Sequence, residues 1–156
     1  MASGLKLDWD AIEGLTDSLG HNGVTSNYNY DLAPYTWQLV QEFQGKDAIF
    51  TMPGMPIKCA GAPQKAMYLS CDHWQKTGRL SGMNVSFCNA GPVLFGCATY
   101  VPPLMKYVDK YGINLDFGHN LTKIDGASKT AWFKVTKEGE EPQMIERKFD
   151  MIHVCP

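Results

Sequence analysis

The chain predicts an α/β domain in which a parallel sheet with crossover helices is followed by an antiparallel three-stranded meander. Three observations lead there. Short apolar runs at 47–52, 83–88 and 113–117 alternate with helical stripes that open at Pro63 and at Pro102-Pro103, the order of parallel strands joined by helices. From residue 121 onward the pattern changes to short strands separated by turn signals, which suits hairpins. A final run, Met151-Ile152-His153-Val154-Cys155, then returns to the sheet.

Taken in order, residues 5–32 carry scattered apolar positions among turn formers such as Gly20-His21-Asn22-Gly23, and read as a connector. Pro34 opens a helix in which Trp37, Val40 and Phe43 recur at near-helical spacing, so all three are expected to anchor in the core before Gly45. Asp47 to Met52 is too short for a buried helix and ends at Pro53-Gly54, so it predicts a buried strand. The helix from Pro63 places Met67, Cys71 and Trp74 on one face, and Gly78 lies beyond its end. Met83 to Cys88 alternates as a strand and breaks at Asn89-Ala90-Gly91-Pro92. A second crossover helix sets Leu104, Val108 and Tyr111 on one side and stops at Gly112. Ile113, Leu115 and Phe117 alternate again. The meander follows as 121–124, the turn Asp125-Gly126, 130–136, the charged turn 137–141, and 143–149.

Bulk properties narrow the function classes. A chain of 156 residues can bury a real core, and 14 Lys plus Arg against 16 Asp plus Glu leave no basic footprint for nucleic acid. No apolar run approaches the roughly 20 residues needed to span a bilayer, so the stretch is expected to be soluble. Five cysteines (Cys59, Cys71, Cys88, Cys97, Cys155) are an odd number without dense spacing, which points to reduced thiols with one of them working.

A parallel sheet of this kind invites a search for phosphate-binding glycines. None is found in pattern: Gly54 and Gly61 follow the 47–52 run without G-x-G-x-x-G, and Pro63-Gln64 stands where small residues would admit a pyrophosphate. Gly91 to Gly96 has the glycine spacing of a P-loop, yet Cys97-Ala98 follows where Lys and Ser or Thr belong. Cys71 and His73 lie about 200° apart on a helix with no second pair, so no metal site is expected. His21, His119 and His153 have no partner spacing and read as surface or satisfied core histidines. Tyr28, Tyr30 and Tyr35 could stack on a ring, although aromatic side chains more often cover apolar surface. The junction 56–65 is the one stretch with a reactivity argument. Cys59 lies just ahead of a helix N-terminus with Lys58 beside it and Lys65 six positions on, a positive field that favours thiolate over thiol.

Pro56-Ile57-Lys58-Cys59-Ala60-Gly61-Ala62-Pro63-Gln64-Lys65-Ala66-Met67-Tyr68-Leu69-Ser70 closely resembles the redox-cysteine segment of sulfide:quinone oxidoreductases, flavoproteins of the pyridine nucleotide-disulfide oxidoreductase superfamily. Ser26-Asn27-Tyr28, Thr36-Trp37 and Ala48-Ile49-Phe50-Thr51 look like the same family upstream, as do 89–96 and Met151-Ile152-His153-Val154 downstream. The resemblance implies a three-layer Rossmann-like second domain at 46–156, with 1–45 as the connector and tail of an FAD-binding domain, the whole being the central fragment of a longer enzyme. It further implies that sulfide attacks a cysteine disulfide or trisulfide, that a persulfide carries the sulfane sulfur, and that electrons pass through FAD to a membrane quinone. Cys59 matches the redox cysteine, and Lys65 is implied to stabilise the reduced flavin or the thiolate. No NAD(P) is expected, and the second redox cysteine matches none of Cys71, Cys88, Cys97 or Cys155. The resemblance also implies peripheral association of the intact enzyme with an inner membrane, cytoplasmic or mitochondrial, through segments outside this stretch. The fragment alone is then expected to hold no FAD and to be inactive. Two other readings stay open at this stage: a related NAD(P)H- or cytochrome-linked FAD-dependent oxidoreductase, and a non-catalytic nucleotide-fold interaction domain with an inert Cys59.

Overall fold

In the computed structural model, which describes residues 4–156, eight strands and four helices build three layers. The order is α1 (Leu15–Ser18), β1 (Val24–Thr25), α2 (Ala33–Glu42), β2 (Asp47–Met52), α3 (Ala62–Lys76), β3 (Asn84–Asn89), α4 (Val101–Tyr111), β4 (Asn114–Phe117), β5 (His119–Asp125), β6 (Thr130–Val135), β7 (Gln143–Lys148) and β8 (Met151–His153). Five strands form one parallel sheet in the order β1-β8-β2-β3-β4, and β5-β6-β7 form an antiparallel sheet beside it. The expected α/β class with its appended meander is the observed one.

Strand alternation explains the layering. Ala48 and Phe50 on β2, Val85 and Phe87 on β3 and Met151 on β8 pack into one core with α2, α3 and α4. Ile49, Cys88 and Ile152 are their sequence neighbours, so they point the opposite way and join Leu121, Ile124, Phe133 and Val135 of the meander in a second core. A sheet covered on both faces needs apolar residues in succession, which is why β2 reads as an unbroken run.

The helix stripe on α3 is as expected: Met67, Cys71 and Trp74 are wholly buried, and the Trp74 indole N–H donates to the Val40 carbonyl at 2.8 Å in the last turn of α2. Gly112 ends α4 in the left-handed conformation, where its N–H meets the Asp109 and Val108 carbonyls. Trp37 corrects the reading of α2. Val40 and Phe43 are buried, but Trp37 is 49% exposed and lies edge-on to the His73 ring at 5.0 Å, on the outer side of the α2–α3 contact. Three residues at spacing three drift around a helix, and the last two alone face the sheet.

The segment before residue 46 contributes to the same body. Leu15 and Val24 are fully buried, β1 pairs with β8, and Thr25 and Thr36 join β1 to α2 through their hydroxyls at 2.8 Å. The expected tail begins with Met1-Ala2-Ser3, which lie outside the described residues. Among the described residues, no helix is long and apolar enough to cross a membrane.

Candidate functional site

All five strands of the large sheet run the same way, so their carboxyl ends gather along one edge. In open α/β sheets this edge is where ligands and reactive groups collect. Four segments meet there: Ser26-Asn27-Tyr28 after β1, Pro53 to Gly61 after β2, Ala90 to Cys97 after β3, and Val154 to Pro156 after β8.

Cys59 stands in the second of these, on an irregular loop leading into α3, and its thiol is exposed. Its backbone is held from two directions. The Cys59 carbonyl accepts the Ala62 N–H at 3.3 Å, which folds the turn into α3, and the Tyr28 hydroxyl at 2.6 Å. Tyr28 is itself placed by its neighbours. Its own N–H donates to the buried Ser26 hydroxyl at 3.2 Å, and the Asn27 N–H donates to His153 Nε2 at 3.0 Å. His153 is wholly buried on β8 and stacks on Phe50 at 5.9 Å, and burial drives its pKa down to about 4, so the ring stays neutral. With Nε2 accepting from Asn27, the proton resides on Nδ1, which has no partner.

A second thiol lies on the same sheet edge. Cys155 is buried, and its N–H donates to Thr51 Oγ1 at 3.2 Å. Burial pushes the Cys155 thiol up to about 11, and burial likewise pushes the Tyr28 phenol well above its ordinary pKa. Both groups therefore remain protonated near neutrality. Cys71 and Cys88 are inert for the same reason, each pushed up to about 12 by burial inside the protein. Cys97 is exposed on the loop after β3.

Lys65 sits on the first turn of α3, where its N–H donates to the Gly61 carbonyl at 2.9 Å. Its exposed side chain lines an apolar groove of about 540 Å³ between α3 and α4, together with Tyr68, Phe95, Tyr100 and Tyr107. Gln64 next to it is buried and donates to the Leu94 carbonyl at 2.7 Å, joining the start of α3 to the loop after β3. A Cβ built on Gly54 or Gly61 would meet no protein atom within 4 Å, so packing among the described residues does not require glycine at either position.

Tyr28 and Cys155 are the residues that sequence reasoning passed over. Tyr28 was expected to stack on a ring or cover apolar surface, and it instead spends its hydroxyl on the Cys59 backbone. Its place in Ser26-Asn27-Tyr28, one of the segments that carry the family resemblance, was the available signal. His153 is a core histidine as expected, but one satisfied at a single nitrogen.

No family model matches the chain. Over its whole length it is 41% identical to the mitochondrial sulfide:quinone oxidoreductase of Dictyostelium discoideum and 33% identical to that of Mus musculus. In both cases it spans 34% of the relative's length. A chain in the mitochondrial ATP synthase of Tetrahymena thermophila superposes with a TM-score of 0.79 at 20% identity, covering 97% of this chain and 38% of that one. The sulfide:quinone oxidoreductase of Aquifex aeolicus superposes with a TM-score of 0.69 at 17% identity, covering 97% and 34%. The two superpositions show a shared fold, and the two alignments extend the resemblance at residues 56–70 to the entire chain.

Proposed function

We propose that the chain is the central third of an FAD-dependent sulfide:quinone oxidoreductase and that it supplies the Cys59 arm of the redox centre. The observation that carries this reading is the placement of Cys59: an exposed thiol with a fixed backbone, at the carboxyl edge of a parallel sheet, in a chain alike over its whole length to enzymes of that name. The fold alone would not carry it, because a chain of an ATP synthase assembly shares it.

On this reading, residues 1–45 are the connector and tail of the FAD-binding domain and 46–156 are the second, nucleotide-binding-like domain. FAD supplies a two-electron acceptor when bound, and it is assigned to the rest of the enzyme because the stretch after β2 lacks the G-x-G-x-x-G pattern and Gln64 at the start of α3 is bonded to the Leu94 carbonyl. The work of this stretch is sulfur exchange. At Cys59 an incoming sulfur anion forms one S–S bond while another breaks, and the electron pair leaves on the departing thiolate. Lys65, exposed on the first turn of α3, is assigned to stabilise the negative charge that such steps create. Cys71, Cys88 and Cys155 are buried, and exposed Cys97 lies in no segment that resembles the family's second redox cysteine, so that cysteine is assigned to another part of the enzyme, and this stretch alone is inactive. Sulfide and a membrane quinone are the proposed substrates, with the intact enzyme held peripherally on an inner membrane.

The test is sulfide-driven reduction of a soluble quinone by the full-length enzyme. Cys59→Ser should abolish it, with a loss of at least about a thousandfold expected for removal of a covalent nucleophile. Turnover near the wild-type rate in Cys59→Ser would reject the assignment.

A further inference from the structure

The Cys59 loop has few anchors of its own. Between Pro53 and Gly61 it carries neither helix nor strand, and Met55, Pro56, Lys58 and Cys59 are all exposed. The tether that reaches it from another part of the chain is the Tyr28 hydroxyl, at 2.6 Å from the Cys59 carbonyl and 31 positions away in sequence. The segment carrying that hydroxyl is fixed by Ser26 and His153.

We infer that Tyr28 is the positioning residue of the redox thiol: its hydroxyl, donated to the Cys59 carbonyl, sets where the Cys59 side chain stands relative to its sulfur partner. The inference rests on the sulfur-exchange reading of Cys59. The chemistry asks nothing else of the phenol. Its proton is committed to a backbone carbonyl and burial makes it harder to ionise, so it neither gives nor takes a proton in the reaction. What it controls is geometry, and a displacement of about 1 Å in a reacting atom can cost up to about a hundredfold in rate.

Tyr28→Phe in the full-length enzyme tests this, since the ring stays and only the hydroxyl goes. Sulfide oxidation at saturating sulfide should fall about tenfold while the KM for sulfide stays within about twofold, because positioning acts on the transition state rather than on ground-state binding. Alkylation of Cys59 by iodoacetamide should stay within about threefold of wild type, because a small diffusing reagent finds the thiol wherever it stands. Ser26→Ala supplies the second variant: it loosens the same turn from outside, and it should slow turnover by about threefold with unchanged alkylation. Wild-type turnover in Tyr28→Phe, or a fall in alkylation as large as the fall in turnover, would overturn the inference. Cys59→Ser measured alongside separates the two levels: if it stays active, the function is wrong, whereas if it is dead while Tyr28→Phe is fully active, only the role of Tyr28 is wrong.

Discussion

His153 links the stability of the fold to pH through the same segment that holds the Cys59 loop. It is 0% exposed, its Nε2 accepts the Asn27 N–H, and burial lowers its pKa from 6.5 to about 4. A histidine that is harder to protonate folded than unfolded contributes stability that is fully present above pH 6.5. As pH falls below 6.5 the unfolded chain takes up a proton that the folded chain refuses, so stability declines by about 1.4 kcal/mol per pH unit until the folded pKa is reached. Between pH 7.5 and pH 5 the loss from this one group is about 2 kcal/mol, and by pH 4 about 3 kcal/mol. The comparison variant is His153→Gln, whose side-chain oxygen can accept the Asn27 N–H in place of Nε2 but does not titrate. Urea unfolding of the full-length protein from pH 7.5 to 5 should show the wild type losing about 2 kcal/mol more than His153→Gln. Carboxylates elsewhere titrate equally in both proteins and cancel in the difference. Parallel pH dependences in the two proteins would refute the reasoning, for they would mean that the ring is protonated as easily in the fold as outside it.

Two further substitutions test the ground on which the site stands. Gly61→Ala should change neither stability nor sulfide oxidation by more than about 0.5 kcal/mol equivalent, since its φ is −88° and an added Cβ has nothing within 4 Å, and a severe loss in melting temperature or rate would mean that a close backbone approach is made there after all. Arg147→Met should lower the unfolding free energy measured in urea by about 1–3 kcal/mol, because Arg147 on β7 donates to Asp116 at 2.5 Å, to Ser86 at 2.8 Å and to the Cys88 sulfur at 3.2 Å, and its removal leaves a half-buried carboxylate without that partner; an unchanged free energy would show that the clamp between the two sheets is idle.

Local pattern and tertiary contact divide what could be read from the chain and what could not. The bounds of β2, the buried stripe of α3 and the glycine stop of α4 follow from periodicity and from residues that punctuate helices, which act over a few positions. The exposure of Trp37 depends on where α3 lies against α2, and no local spacing encodes that. The same holds for the site. Cys59 was legible because its segment is short and distinctive, but its tether to Tyr28 spans 31 positions, the Asn27–His153 bond spans 126, and the Arg147–Ser86 bond spans 61. These bonds exist because strands distant in sequence end side by side on one sheet edge, so each became visible only once the strand order was known. Lys65 and Cys59 were joined in the sequence by a charge argument, whereas in the fold Lys65 lines the α3–α4 groove.

The way Cys59 is held bears on what it is for. Two hydrogen bonds converge on its carbonyl, one from Ala62 and one from Tyr28, and both fix the backbone while the sulfur stays exposed. Cys155 is the reverse case, a thiol buried and pushed up to about 11. A cysteine kept for packing would resemble Cys71 or Cys155, with the sulfur desolvated and inert. A cysteine meant to complete its chemistry inside this stretch would have its sulfur held by neighbouring side chains. Cys59 has an anchored main chain and an exposed sulfur, the arrangement that the proposed role of a nucleophile calls for. On that proposal the loop into α3 carries the thiol in a sequence without the glycine fingerprint of dinucleotide binding, and Gln64 at the helix start is bonded to the Leu94 carbonyl.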